Sequence, residues 1–259
     1  MKKKPLILVT NDDGITAGGI KMLVSIARAF GEVVVVAPDS PQSAKGHGIT
    51  IYDPLRLNRV NVFDDIEAYA CSGTPVDCVK LAKHHVLKGR KVDLCVSGIN
   101  HGSNASINIV YSGTMSAAME ASLEGIDAIG FSLLDYSPKA DFSQGAPFIK
   151  KIIADQLAGG KGTGTLINVN IPKLDTADIK GVRVCRQAKG QWQENYKQSL
   201  DPSGREYFWL AGDFVNEDSG EDNDLWALDQ GYITVVPSTF DLTKYDEINW
   251  FKHLEEISI

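Results

Sequence analysis

Apolar runs of strand length alternate with segments of helical period along the chain as far as Pro172. Leu6–Val9 is a short continuous apolar run, which is typical of a strand buried on both faces of a sheet. Ile20–Phe30 places its apolar residues on one helical face, and Val33–Ala37 is a second strand-like run. A strand, a helix and a strand in this order form a βαβ unit, so the pattern predicts a parallel sheet with right-handed crossovers.

The same alternation continues after an irregular stretch, Asp39–Tyr69. That stretch has short apolar segments near Ile49, Leu55 and Val60, and we expect it to form a small antiparallel insertion. The later elements are predicted as helices over Val76–Val86, Thr114–Leu123 and Ala146–Leu157, and as strands over Val92–Val96, Ala128–Leu133 and Leu166–Val169. The Gly-, Asn- and Ser-rich segment Ser97–Ser112 is predicted to be a long loop.

The pattern becomes less regular in the last third of the chain. We predict strands over Val182–Arg186, Trp192–Leu200, Glu206–Gly212 and Tyr232–Val236, with a turn at Asp201–Gly204 that makes the middle two a β-hairpin. Aromatic residues along this hairpin are equally compatible with two interpretations. The hairpin packs on another subunit, or it folds on its own domain. The chain is therefore predicted to be an α/β protein with a mostly parallel sheet and a C-terminal β-hairpin extension.

The first polar loop, Asn11–Gly14, follows the first predicted strand. The carboxyl ends of parallel strands converge at one edge of the sheet, which is where ligands bind in open α/β folds. Asp12 and Asp13 are adjacent carboxylates that repel each other, and a hard cation such as Mg²⁺ would relieve that repulsion. An ordinary helix entry with Asp13 as the capping residue explains the loop equally well.

Two further loops are rich in oxygen ligands and are expected at the same edge. The loop after the second strand carries Ser43, whose hydroxyl could complete a metal site. In the third, Asn100 offers a carbonyl oxygen to a metal or an amide donor to a phosphate. Ser112–Thr114 opens a helix, where free amide groups bind anions, although an ordinary helix cap is also compatible with these residues.

Charge and composition argue against several classes of partner. The net charge of -7 and the pI near 5.3 argue against a nucleic acid polymer or an anionic membrane as the main partner. The cysteines form no CxxC pair, and Cys95 is expected to be a buried thiol, so we predict a reducing, cytoplasmic compartment. The apolar run near the N-terminus is too short for a signal peptide, and no run approaches the roughly 18 residues of a membrane span.

Several motifs, taken jointly and in this order, are similar to those of one protein family. They are Leu8–Gly14 (LVTNDDG), Ala37–Asp39 (APD), Ser43–His47 (SAKGH), Gly73–Pro75 (GTP), Ser97–Asn100 (SGIN) and Tyr111–Thr114 (YSGT). Together they resemble the SurE family of stationary-phase survival proteins. The resemblance is strongest between Leu6 and Gly130.

This resemblance implies a Rossmann-like three-layer fold, with a catalytic core over residues 1–180 and an extension over residues 181–259 that holds the hairpin, a final strand and a helix. It implies a cytoplasmic, metal-dependent 5′/3′-nucleotidase that acts on nucleoside monophosphates. Asp12, Asp13, Ser43 and Asn100 match the family's ligands for one divalent ion, Mg²⁺ or Mn²⁺. The resemblance also implies a homodimer or homotetramer formed through the C-terminal extension. His101 departs from the residue type expected after Asn100.

The resulting hypothesis is hydrolysis of a phosphate monoester, with Asp12 and Asp13 as catalytic residues and metal ligands. Asn100 and the helix start at Ser112, Gly113 and Thr114 are predicted to bind the phosphate. Water or an aspartate could be the attacking group. Two other functions stay open: a non-catalytic regulator that binds nucleotides or phosphate on the same fold, and a nucleotide-sugar transferase. The sequence does not rank nucleotides, and it does not separate Mg²⁺ from Mn²⁺.

Overall fold

A nine-stranded mixed sheet forms the centre of the molecule in the computed structural model, which describes residues 4–160 and 162–257. The strands are β1 (Leu6–Thr10), β2 (Glu32–Pro38), β3 (Leu57–Arg59), β4 (Glu67–Cys71), β5 (Leu94–His101), β6 (Ala128–Leu133), β7 (Leu166–Ile171), β8 (Val182–Val184), β9 (Gln191–Leu200), β10 (Glu206–Val215) and β11 (Ile233–Ser238). The order in the main sheet is β3-β4-β2-β1-β5-β6-β7-β11-β8, and β9 and β10 form a separate two-stranded sheet.

The centre of the main sheet is parallel, as the sequence predicts. β1 pairs in parallel with β2 and β5, and β5, β6 and β7 continue the parallel order. The antiparallel pairs lie towards the two sides, where β3 meets β4 and β11 meets β7. The carboxyl ends of β1, β2 and β5 therefore lie at one edge of the sheet.

Helices cover both faces of the sheet and make three layers. In the described part of the chain they are α1 (Gly18–Ala27), α2 (Pro75–Leu81), α3 (Gly113–Leu123), α4 (Ala146–Gly159), α5 (Asp224–Asp229) and α6 (Ile248–Phe251). Val9 of β1 packs with Leu23 of α1 and Ile153 of α4 on one face. Leu8 packs with Val79 of α2 and Met115 of α3 on the other face. Alternate residues of a strand point to opposite faces, which explains why β1 is apolar from Leu6 to Val9 and buried throughout.

The stretch Asp39–Tyr69 differs from the predicted insertion. β3 is antiparallel to β4, but β4 pairs in parallel with β2 and so belongs to the main sheet. No strand forms near Ile49 in the described chain. The neighbouring Thr50 explains this, because its backbone amide and its hydroxyl both donate to the Asp77 carboxylate, at 3.1 and 2.6 Å, instead of pairing with a strand.

The predicted loop at Ser97–Ser112 is wrong over its first five residues. β5 runs on to His101, and Asn100 and His101 pair with Ser132 and Leu133 of β6 after a register shift. Polar residues continue this strand because β6 supplies a hydrogen-bonding partner, a contact that hydrophobic periodicity does not report. Helix α5 is also absent from the sequence prediction.

The predicted β-hairpin is confirmed and is longer than expected. β9 and β10 pair antiparallel, with Gln191 opposite Val215 at one end and Leu200 opposite Glu206 at the other. Nearly all of their residues are exposed. β8 and β11 also follow residue 180, yet they pair with the main sheet. The division of the chain at residue 180 into a core and an extension stays a prediction. Within residues 4–160 and 162–257, no helix combines the length and apolar character needed to cross a membrane.

Candidate functional site

The loop after β1 is held tightly between two neighbouring segments. The Asn11 side-chain amide donates to the carbonyl of Gly14 at 2.9 Å, and Gly14 has a positive φ of 95° that favours glycine. The Gln42 amide donates to the Asp12 carbonyl at 2.7 Å. This last bond joins the loop after β1 to the loop after β2, so Ser43 is brought next to the paired aspartates.

The Asp12 carboxylate lies against the first turn of α3. The Thr114 hydroxyl donates to its Oδ1 atom, and a Cβ atom added at Gly113 would lie only 2.7 Å from the Asp12 Cβ atom. Ser112 caps the helix, because its hydroxyl accepts a bond from the Met115 amide at 3.0 Å. The simple capping interpretation of Ser112 is therefore correct, and the same turn also meets the buried aspartate.

The side chains of Asp13 and Asn100 both hydrogen-bond to the backbone of His101 at the end of β5. The His101 backbone amide donates to Asp13 Oδ2 at 3.3 Å. The Asn100 side-chain amide donates to the carbonyls of His101 and Gly102, both at 3.1 Å. Because both of its hydrogens are used in this way, Asn100 presents Oδ1 as its remaining group. The His101 ring packs edge-on against Phe142, with ring centroids 4.8 Å apart, and His101 also lines the cavity beside Asp12.

The two aspartates are carboxylates in a poorly hydrated place, and the positive charge of the nearby His101 ring favours ionisation of Asp13. Burial raises the pKa of the Asp12 carboxyl from 3.8 to about 6, the Thr114 hydrogen bond opposes this, and the Asp13 charge adds to it. Burial also raises the pKa of Asp13, against the His101 amide bond. No ion pair among the described residues involves either carboxylate. A bound cation would remove this unfavourable arrangement.

The side chains that a cation could use are oxygen donors. The described part of the chain has no group of three or more His, Cys, Asp or Glu side chains that could hold a metal ion. A cation at the aspartate pair would therefore need neutral ligands, and Ser43 and Asn100 line the same cavity as Asp12. The buried Oδ1 atom of Asn11, next to the pair, has no hydrogen-bond partner in the described structure. These residues fit Mg²⁺ or Mn²⁺, which prefer oxygen ligands.

Glu120 of α3 fastens the loop that carries Ser43. The Glu120 side chain is buried, its Oε2 atom lies 2.9 Å from His47 Nε2, and its Oε1 atom lies 2.5 Å from Lys80 Nζ. His47 belongs to the Ser43 loop, so this carboxylate joins that loop to α2 and α3. Sequence reasoning missed Glu120, because its place about two turns inside α3 gave no sign of this role.

The site opens into a cavity of about 520 Å³ that reaches the root of the hairpin. Its polar end includes Asp12, Ser43, Asn100 and Ser112, which the sequence predicts to act together. Residues missed by the prediction form the other end, and they are Asn104, Asn108, Tyr111, Tyr136, Trp192, Glu194 and Leu210. Tyr111 lies within a motif quoted above, but the sequence has no signal that places Trp192 beside the aspartates.

Comparison with known proteins gives a consistent assignment. The family model described as "Survival protein SurE" matches residues 7–194. The protein named "5'-nucleotidase SurE" of Cytophaga hutchinsonii is 59% identical over 242 residues, with 93% of each chain covered. The protein of the same name from Christiangramia forsetii is 59% identical over 246 residues, with 94% of each covered.

A solved structure supports the same relationship at the level of the fold. The crystal structure of the SurE protein from Aquifex aeolicus has a TM-score of 0.84 and 38% sequence identity, and covers 97% of this chain and 100% of that one. This similarity extends through the sheet, the helices and the C-terminal extension. The chain belongs to the SurE family.

Proposed function

We propose that the chain is a metal-dependent 5′/3′-nucleotidase that hydrolyses nucleoside monophosphates to nucleosides and phosphate. The observation that carries this proposal is the adjacent pair Asp12 and Asp13, whose carboxylates both have a pKa raised by desolvation and form no ion pair in the described structure, with Asp12 lining the same cavity as Ser43 and Asn100. The relatives named 5'-nucleotidase SurE support the same reaction class.

Asp12, Asp13, Ser43 and Asn100 would hold one divalent cation, Mg²⁺ or Mn²⁺. When bound, the ion would polarise a phosphate oxygen and lower the pKa of a water molecule. The hydrogen bonds of Asn100 favour its metal role over its predicted phosphate role, because its amide hydrogens already bind two carbonyls.

The start of α3 is proposed to hold the phosphate. Ser112, Gly113 and Thr114 lie in the first turn, where backbone amides and the helix dipole favour an anion. The Thr114 hydroxyl also fixes the Asp12 carboxylate, which keeps the phosphate side and the metal side of the site in register. One of the two aspartates orients the attacking water.

The C-terminal extension is proposed to form a homodimer or homotetramer. Its hairpin exposes Tyr196, Leu200 and Phe208 on one face of the β9–β10 pair, and large exposed apolar residues that lie together mark protein interfaces. We also propose a cytoplasmic location, in keeping with four cysteines that are all buried and free. Burial raises the pKa of the Cys95 thiol to about 12, which agrees with the predicted inert thiol.

Phosphate release tests the proposed reaction directly. The chain is treated with a chelator and assayed with AMP alone and with added Mn²⁺ or Mg²⁺. We expect release only with a metal. Binding of AMP without release under any metal would instead identify a non-catalytic regulator. Release that requires an added acceptor sugar would identify a transferase.

A further inference from the structure

The cavity at the site is larger than a phosphate group requires and has two chemically different ends. A volume of about 520 Å³ lies in the range of sites that enclose whole small molecules. The cavity wall includes three aromatic residues, Tyr111, Tyr136 and Trp192, each at least 44% exposed. Partly exposed aromatic rings in a cavity wall offer flat apolar surface to a ligand.

Trp192 is the most rigidly held of these rings. Its indole Nε1 donates to Asn108 Oδ1 at 2.8 Å, and the ring of Phe214 packs edge-on at 5.5 Å. Phe214 lies directly opposite Trp192 in the β9–β10 pair. Two contacts at different parts of the indole therefore fix its orientation, so a ligand would lose little freedom in using its face.

The root of the hairpin is also fixed relative to the aspartate end of the cavity. The buried Asp224 carboxylate accepts bonds from the amides of Ser106 and Ala188, both at 2.9 Å. The Ser106 hydroxyl donates to the Ala188 carbonyl at 2.9 Å and accepts from the Gly190 amide at 3.0 Å. These bonds join the segment after β5 to the segment before β9, so Trp192 is held at a set place beside the site.

We propose that Trp192 is a specificity-determining residue on which the base of the nucleotide stacks. This rests on the proposed nucleotidase function and goes beyond it, because the hairpin root then selects nucleotides over small phosphate esters. Every base has a π face, so stacking tolerates different bases. The proposal therefore predicts that purine and pyrimidine nucleotides are both accepted.

The test compares two substrates with and without a base. Steady-state kinetics are measured for AMP and for glycerol phosphate, using the wild type, Trp192→Ala and Trp192→Phe. We expect Trp192→Ala to raise KM for AMP about 5- to 100-fold, since loss of a stacking ring has an effect of this size. KM for glycerol phosphate stays within about twofold, and Trp192→Phe restores most of the affinity for AMP.

Trp209→Ala is the matched control, because Trp209 is exposed on the same hairpin and does not line the cavity. It should leave both KM values unchanged. An equal rise in KM for both substrates, or an unchanged KM for AMP in Trp192→Ala, would overturn the proposed stacking role of Trp192.

Calorimetry with AMP distinguishes failure of the proposed stacking role of Trp192 from failure of the proposed nucleotidase function. If the wild type releases no phosphate from either ester, the proposed reaction is wrong. The proposed stacking role of Trp192 would still be supported if Trp192→Ala binds AMP 5- to 100-fold more weakly than the wild type. Equal binding by the two proteins would overturn it.

Discussion

The Thr114 hydroxyl donates a hydrogen bond to the carboxylate of Asp12, a residue 102 positions away in the sequence. This bond joins the end of β1 to the first turn of α3, which are the proposed metal-binding and phosphate-binding parts of the site. Gly113 permits the approach, since a Cβ atom there would lie 2.7 Å from Asp12 Cβ and 2.9 Å from Oδ2. The absence of a side chain at position 113 is thus a geometric requirement of the site.

Gly113→Ala is expected to displace the Asp12 carboxylate and to lower metal-dependent phosphate release about 100-fold, as a shift near 1 Å can do in a catalytic site. Alanine is favourable in helices, so the melting temperature should fall little. Phosphate assays and thermal unfolding check both points. Gly159→Ala on α4, where a Cβ atom meets nothing within 4 Å, is the control. Full activity in Gly113→Ala would contradict the proposed packing.

Asp13→Asn is expected to abolish metal-dependent phosphate release while the fold is retained. The variant loses a negative charge at the proposed cation site, yet its side-chain oxygen can still accept the His101 amide bond. Calorimetric titration with Mn²⁺ should show weaker binding, and circular dichroism should be unchanged. Asp155→Asn removes an exposed carboxylate on α4 and should change neither. Wild-type turnover by Asp13→Asn would mean that the site is wrongly placed.

Much of the core was predictable because its helices and strands have a clear periodic pattern of hydrophobic residues. Strands buried on both faces, such as β1, read as continuous apolar runs, and α1 has a clear apolar face. Ser97–His101 could not be recognised as strand, since its pairing with β6 depends on a distant partner. Thr50 likewise takes its conformation from the Asp77 carboxylate rather than from local propensity.

The candidate site was predictable only in part for a similar reason. Asp12 and Ser43 follow parallel strands and Asn100 lies at the end of one, and such strand ends meet at one edge of a sheet. Trp192 follows no such rule. It reaches the cavity through contacts such as Asp224 with Ser106, which are 118 residues apart. The motifs that resemble the SurE family identified the polar end and left the aromatic end unmarked.

Glu120→Gln is expected to loosen the Ser43 loop and to weaken Mn²⁺ binding several-fold. Glu120 is buried and binds both His47 and Lys80, so the neutral amide loses charge-assisted bonds to the loop and to α2. Two measurements check this: calorimetric titration with Mn²⁺, and phosphate release as a function of Mn²⁺ concentration at a fixed nucleotide concentration. The matched control is Glu124→Gln, which removes a more exposed partner of His84 in a similar 2.9 Å contact. Surface pairs contribute little, so equal effects in both variants would contradict the positioning role.

Asp127 provides a prediction about stability and pH. Its buried carboxylate accepts bonds from the amides of Gly162, Gly164 and Thr165, at 2.8, 3.1 and 2.8 Å. Burial raises the pKa of Asp127, but the hydrogen bonds from the amides of Thr165 and Gly162 lower it by more than burial raises it. The pKa therefore lies below 3.8. A carboxyl whose pKa is lowered by folding stabilises the protein above its ordinary pKa, and that contribution disappears as the pH falls through the lowered value.

Asp127→Asn should therefore reduce the free energy of unfolding by about 1–3 kcal/mol at pH 7, because its amide cannot accept the same set of bonds. The difference from the wild type should shrink as the pH falls below the ordinary carboxyl pKa of 3.8 and through the lowered pKa of Asp127, where the wild-type carboxyl becomes protonated. Urea unfolding at several pH values measures this difference. Asp155→Asn should stay within about 0.5 kcal/mol of the wild type throughout. A difference for Asp127→Asn that is constant with pH would show that the lost bonds act without the carboxylate charge.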